Sequence, residues 1–317
     1  MWNLRGMVKL GVSLPQFSQF TPGADVVASA RALEEIGYDS LWVFERVLVP
    51  EDQSGEHGLY GVPGLEWPQI YRGVTDALIT LSTAAAVTER ITLATGVLVV
   101  PLHLPLRLAR ELATLDAFSG GRLVAGLGVG WSPDEFAAGA PVPLSERGRS
   151  LDDFLDIAAA VWGPNPVSFS TKRYEVGAAD IGPKPAGSIP VLLGASAGAD
   201  RALRRVVERA DGWVASGVTP EQVSATVARL GEMASAAGRT TPVSCTVQIG
   251  VLGVTETSLE PRQPFAASIE QLVADVAAFA EAGADHVYLT LPAGMRDVKQ
   301  LIDRAAELYE GVRSAGV

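Results

Sequence analysis

The chain carries one cysteine, Cys245, and three histidines, His57, His103 and His286, in 317 residues. A single thiol forbids an internal disulfide and fits a reducing compartment. So few scattered thiol and imidazole groups offer no zinc-ligand spacing, and no metal site is expected. Basic residues are also scarce: 25 Lys and Arg stand against 36 Asp and Glu, a net charge of −11. That balance argues against nucleic acid or an anionic membrane as the main partner, but not against a small anion held by local dipoles. Long apolar runs are missing too. The longest, Ile91 to Leu108, is broken by Thr, Gly, two prolines and His, and the N-terminal "MWNLRGMVK" has no apolar leader core. A soluble, cytoplasmic protein is expected.

What is present is an apolar fraction of 48%, enough for a sizeable core. Strands are predicted at Lys9–Leu14, Ser40–Phe44, Ile91–Val97, Leu123–Gly128, Pro190–Leu193, Gly212–Ala215, Val243–Ile249 and His286–Thr290. They are apolar at nearly every position, as strands buried on both faces are. Helical patterns separate them. Ser132 with Glu135, Thr219 with Gln222 and Ser268 with Gln271 each read as a capping box. Leu104, Leu108, Leu112 and Leu115 fall on one helical face, as do Val298, Leu301, Ala305, Leu308 and Val312. In "GYDSLWVF", "ADGWVASG" and "GADHVYLTL" an Asp stands just ahead of a strand, an echo that suggests repetition. Eight strands in strict alternation with helices predict an α/β fold, an eight-stranded (β/α)8 TIM barrel forming a single domain over residues 1–317. Two Gly- and Pro-rich insertions, about 45–67 and 163–187, leave from C-terminal strand ends, the face where barrel enzymes carry their sites.

Three stretches concentrate small residues at strand ends. In "GGRLVAGLGVGW" Gly126, Gly128 and Gly130 give G-x-G-x-G, short of the dinucleotide fingerprint, although Glu146 lies at roughly the distance of its acidic partner. The glycines otherwise relieve crowding inside the barrel, or leave a strand end bare for a flat ligand. In "VLLGASAGADRAL" Gly194, Ala195 and Ser196 lead into a helix whose N-terminus favours a phosphate; a plain βα turn is the alternative. In "TLATGVLVVP" Gly96 sits where the strand emerges, a place for a bulge or a close approach.

Taken together, "GYDSLWVFERVLVPED", "AAVTERITLATGVLVVPLHLPLRLARELATLDAFSGGRLVAGLGVGW", "LDDFLDIAAAVW" and "KPAGSIPVLLGAS" resemble the bacterial luciferase-like monooxygenase superfamily, most closely its branch of coenzyme F420-dependent oxidoreductases. The resemblance implies an enzyme that moves a hydride between the F420 ring and a small organic substrate. It places the ring against a bulge with a non-proline cis peptide at Gly96–Val97. Gly128, Val129 and Gly130 would lie under the cofactor's chain, and Gly194, Ala195 and Ser196 would take its phosphate. A homodimer is also implied, with no nucleic-acid or membrane partner. An FMN-dependent monooxygenase, fed reduced flavin by a partner reductase, is the alternative on the same scaffold; a cofactor-binding protein without turnover is a third reading. One departure stands out: where F420 enzymes of this type carry Asp–His, this chain has Glu45–Arg46. Both are taken as the catalytic candidates, Glu45 as an acid or base and Arg46 as an electrostatic anchor, against the plainer reading of a surface ion pair. Gln16, Phe17 and Trp131 are expected to line the substrate pocket, with Tyr60, Trp67 and Tyr71 as further lining candidates.

Overall fold

The computed structural model describes residues 7–261 and 265–317; most of the N-terminal stretch read for a leader lies outside them. Nine parallel strands make one sheet: β1 (Lys9–Ser13), β2 (Ser40–Val43), β3 (Thr92–Thr95), β4 (Leu98–Val99), β5 (Leu123–Gly128), β8 (Val191–Gly194), β9 (Gly212–Ser216), β10 (Ser244–Ile249) and β13 (His286–Leu289). The sheet runs β3-β2-β1-β13-β10-β9-β8-β5-β4 and closes through Leu93 opposite Leu123 and Ala94 opposite Val124. β3 and β4 are two halves of one stave, split at Gly96–Val97, whose peptide bond is cis. The result is a closed eight-stave parallel barrel, as the alternation predicts. The third stave departs from its predicted span: ladder pairing stops at Thr95 and resumes at Leu98, because the chain turns out of register between them.

The aspartates ahead of the strands have a physical job. Asp39, Asp211 and Asp285 each turn a carboxylate oxygen back onto a neighbouring strand, accepting from the backbone N–H of Leu10, Val191 and Cys245 at 2.8 Å. Each satisfies a donor at the barrel floor that the staggered sheet leaves unpaired.

Inside the barrel Trp42, Ala94, Leu192, Val214 and Tyr288 form a separate lumen cluster, with Trp42 stacked on Tyr288 at 4.0 Å. The larger core lies between staves and helices. There Leu108, Leu112 and Leu115 are buried, but Leu104 is the N-cap residue of its helix and half exposed, one turn too early to face the core. Thr219 and Ser268 form complete capping boxes. Ser132 accepts from Glu135 N–H at 3.3 Å, yet the Glu135 carboxylate does not return to it. That carboxylate is taken up by a distant partner, described below.

Three longer segments interrupt the alternation, two at C-terminal stave ends and one at the barrel floor. The first runs from Phe44 to Asp76, longer than its predicted span, because the next helix starts only at Ala77. The second, about 163–187, is corrected in place: it follows the helix Arg147–Trp162 and leads into the start of β8, so it lies at the floor and not on the face of the C-terminal strand ends. It contains an antiparallel hairpin of β6 (Val167–Ser170) and β7 (Glu175–Ala179). A third, unforeseen, follows β10 and pairs β11 (Gly253–Thr255) with β12 (Ala266–Ser268). Among the described residues no helix is long and apolar enough to cross a membrane.

His286 opens β13 against the lumen cluster, its Nε2 2.7 Å from Ser40 Oγ and its ring edge-on to Trp42. Burial, with Lys9 nearby, pushes its imidazole down to about 3. A base whose folded value is depressed contributes fully above its unfolded value, near 6.5, and loses that contribution as pH falls. Unfolding free energy is therefore expected to drop by about 2 kcal/mol between pH 7 and pH 5, read from urea midpoints. His286→Gln should flatten the profile; an unchanged slope would mean the ring titrates as if in water.

Candidate active site

A cavity of about 470 Å³ opens at the C-terminal mouth of the barrel. One side is main chain from three strand ends: Gly96 and Val97 at the split in the third stave, Gly128, Val129 and Gly130 after β5, and Gly194, Ala195 and Ser196 after β8. Phe17, Phe44, Tyr60, Tyr71 and Trp131 supply the aromatic side, and Glu45, Arg46 and Arg147 the charged groups.

The glycines are small for reasons within the protein. A Cβ on Gly126 would meet Thr95 O, and one on Gly128 would lie 2.6 Å from Val97 Cγ2. One on Gly130, where φ is +71°, would crowd Val99 and Phe136. Room for a ligand is therefore not what demands these glycines: they let β5 pack against the split stave. Gly194 is different, because a Cβ there would make only ordinary contact. Gly120 and Gly121, at φ +71° and +84°, form the turn before β5. The dinucleotide reading loses its acid, since Glu146 pairs with Arg173. The helix after β8 begins at Asp200, so Gly194–Ser196 is a loop ahead of its N-terminus rather than its first turn. Trp213 holds that loop, its indole N–H donating to Ala195 O at 2.8 Å.

Glu45 and Arg46 do not pair with each other through their side chains. Glu45 is nearly buried: Oε2 accepts from Val99 N–H at 2.6 Å, and Oε1 lies 2.8 Å from His103 Nε2. Arg46 caps the tilted pair of Trp67 and Trp131, whose ring centres are 4.9 Å apart, its guanidinium carbon 5.2 and 5.1 Å from the two ring centres. Its Nε donates to the Glu45 carbonyl at 3.0 Å. Its Nη1 lies 3.3 Å from Glu135 Oε2 without hydrogen-bond alignment. The other Glu135 oxygen accepts from Val47 N–H at 2.9 Å. Burial pushes the Glu135 carboxyl above the usual carboxylate range, against the pull of Arg46 and of the Val47 and Leu48 amides. The surface ion pair read between Glu45 and Arg46 is thus replaced by two buried links that diverge.

Gln16 is corrected from a pocket residue to a structural one. It is fully buried: its amide nitrogen donates to Phe44 O at 3.0 Å and Thr75 O at 2.9 Å, and its oxygen accepts from Phe44 N–H. Trp67 is buried behind Arg46, outside the cavity lining, with its indole N–H donating to His57 O. His57 in turn lies 3.0 Å from Asp134, latching the long loop to the helix after β5.

Residues 8–307 match the luciferase-like monooxygenase family. The chain belongs to that family. Among relatives of this luciferase-like chain, an uncharacterised Mycobacterium tuberculosis protein is 34% identical over 220 residues, covering 68% of this chain and 76% of its own. F420-dependent glucose-6-phosphate dehydrogenase of Nakamurella multipartita is 31% identical over 205 residues, covering 64% of this chain and 55% of its own. Two solved structures share the fold. Monooxygenase RslO1 from Streptomyces bottropensis superposes with a TM-score of 0.78 at 18% identity, over 98% of this chain and 100% of that one. An F420-dependent secondary alcohol dehydrogenase does so with 0.76 at 16%, over 97% and 99%.

The luciferase-like cavity also contains residues that sequence reasoning missed. Tyr288 lies within the lumen cluster, its hydroxyl 3.3 Å from Gly96 O, and burial pushes its phenol far above its usual range. Ser216, Gln248 and Thr290 line the mouth from the ends of β9, β10 and β13. The available signal was positional: polar residues closing otherwise apolar strands. Arg147 enters from the start of the helix Arg147–Trp162, with Nη1 donating to Leu144 O at 3.1 Å.

Proposed function

We propose that this protein is a coenzyme F420-dependent oxidoreductase acting on a small organic substrate. The observation that carries the reading is the convergence of three small-residue strand ends on one cavity at the barrel mouth. The donor set suits a flat group with an anionic tail. Main chain at Gly96, Val97 and Gly128 offers a surface free of long side chains, while Ser196 and Arg147 supply a hydroxyl and a cation on the same cavity. The 31% identity to an F420-dependent dehydrogenase supports F420 over FMN. When bound, F420 supplies or accepts the hydride at its ring.

The chain's own groups divide the remaining work. Phe17, Phe44 and Tyr71 pack their rings together and exclude water from one side of the cavity. Tyr288, kept protonated by burial, donates toward Gly96 O and holds the bulge from below. Arg46 is the fixed cation at the aromatic end, placed to stabilise negative charge gathering on a substrate oxygen. Glu45 is a positioning group on this reading, because both of its oxygens are already engaged. Arg46 thus stands alone as the catalytic residue of the pair.

Anaerobic titration with F420 and, separately, with FMN tests the reading by fluorescence. F420 is expected to bind at least about tenfold more tightly. The reverse order would indicate an FMN-dependent monooxygenase served by a reductase. Tight F420 binding without hydride transfer to carbonyl, imine or alkene acceptors would indicate a cofactor carrier. Binding of neither overturns the proposal.

A further inference from the structure

Glu45 is the shared wall of two cavities. Besides the one at the barrel mouth, a second of about 470 Å³ lies on the outer side, between the helices Ala77–Ala85 and Pro105–Ser119. His103 lines that outer cavity and not the inner one. Its Nε2 reaches Glu45 Oε1, while Glu45 Oε2 takes the amide of Val99, two residues beyond the cis peptide. A chain of contacts thus runs from the outer cavity through His103 and Glu45 to the strand that resumes after the bulge.

We propose that His103 is a positioning residue that holds the Gly96–Val97 bulge through Glu45 and makes cofactor affinity depend on pH. The inference rests on the reading that the cofactor ring lies against that bulge. A carboxylate that is 10% exposed needs its donors, and a charged imidazolium is a stronger donor than a neutral ring. The charged groups facing His103 are Glu45 two residues beyond β2, Glu111 on the helix Pro105–Ser119 and Asp76 at the cap of the helix Ala77–Ala85. All are carboxylates, and neither Lys nor Arg lines the outer cavity. Burial pushes the imidazole down, but the hydrogen bond it donates to Glu45 and the surrounding carboxylates outweigh it and leave His103 above its ordinary value.

The sign follows. A base with a raised folded value keeps its stabilising charge below the ordinary histidine range and loses it as pH climbs through the raised value. Neutral His103 still donates through an Nε2–H tautomer, so the clamp weakens without breaking. Because His103 is 24% exposed on the outer side, protons reach it while the inner cavity is filled.

The test uses the full chain with FMN and F420 as probes between pH 6 and pH 8.5. Wild-type affinity is expected to fall about threefold across that range, as the charge on the donor is lost. His103→Gln keeps a donor without the charge and should give a flat profile near the weaker limit; Glu45→Gln should flatten it as well. A slope that survives in His103→Gln overturns the proposal. A second arm needs no cofactor: hydrogen exchange of the segment 97–103 should be faster in both variants at pH 6, and unchanged exchange overturns the clamp. If neither probe binds the wild type at any pH, the cofactor reading fails, while the exchange arm still decides the clamp.

Discussion

Gly126→Ala is expected to destabilise the barrel by about 3 kcal/mol or more, and to leave little soluble protein at growth temperature. Gly126 is buried in β5, paired with Leu192 of β8, and an added methyl would strike the carbonyl oxygen of Thr95. That oxygen belongs to main chain already fixed on both sides. Thr95 Oγ1 donates to Gly126 O at 2.7 Å, and the next residue, Gly96, donates its N–H to Val43 O at 2.6 Å. A close-packed interior transmits such an insertion instead of absorbing it. Urea midpoints or, failing expression, soluble yield beside wild type would measure it. A loss under about 1 kcal/mol would show slack between β3 and β5 that the geometry denies.

The second large effect concerns Arg46. Arg46→Met should cost about 3–5 kcal/mol of stability, because it strands Glu135, 2% exposed, without its cation. It should also lower kcat by about a hundredfold if the guanidinium steadies charge on the reacting substrate. One variant cannot separate these effects. Pairing it with Glu135→Leu removes the stranded carboxylate, so stability is expected to recover to within about 1 kcal/mol of wild type. Turnover should stay low. If the double variant regains turnover along with stability, Arg46 is a structural residue; if neither recovers, the loop before Trp67 has lost its fold for another reason.

The barrel was legible because doubly buried strands and single-faced helices write two different periods into the chain, and because strand-leading aspartates mark three of the staves. The cavity was legible through its small residues, although their smallness turned out to serve the packing of β5 against the split stave. Other readings failed where one side chain had two local fates. Glu135 sits at the spacing of a capping box, but Arg46 and Val47, distant in sequence, claim its carboxylate. Gln16 reads as a polar residue at a strand mouth, and nothing near it in the chain announces the two carbonyls it serves. Tyr288 was hidden inside an apolar strand, where alternation does not separate a lumen residue from a ligand-facing one. The insertion after β10 escaped notice because its two strands are three residues each.

Gln16 has a broader consequence. The 30 residues between Phe44 and Thr75 leave from, and return to, a single amide, reinforced by the Thr75 N–H donating to Gln16 O at 2.9 Å. Their end-to-end distance is set by the scaffold and not by their own contents. Doubling the length of such a tethered excursion costs about 0.6 kcal/mol in closure entropy, a small sum beside a domain's stability. Substrate preference written into that excursion is thereby free to diverge, or to be grafted from a cousin, while the staves beneath keep their register.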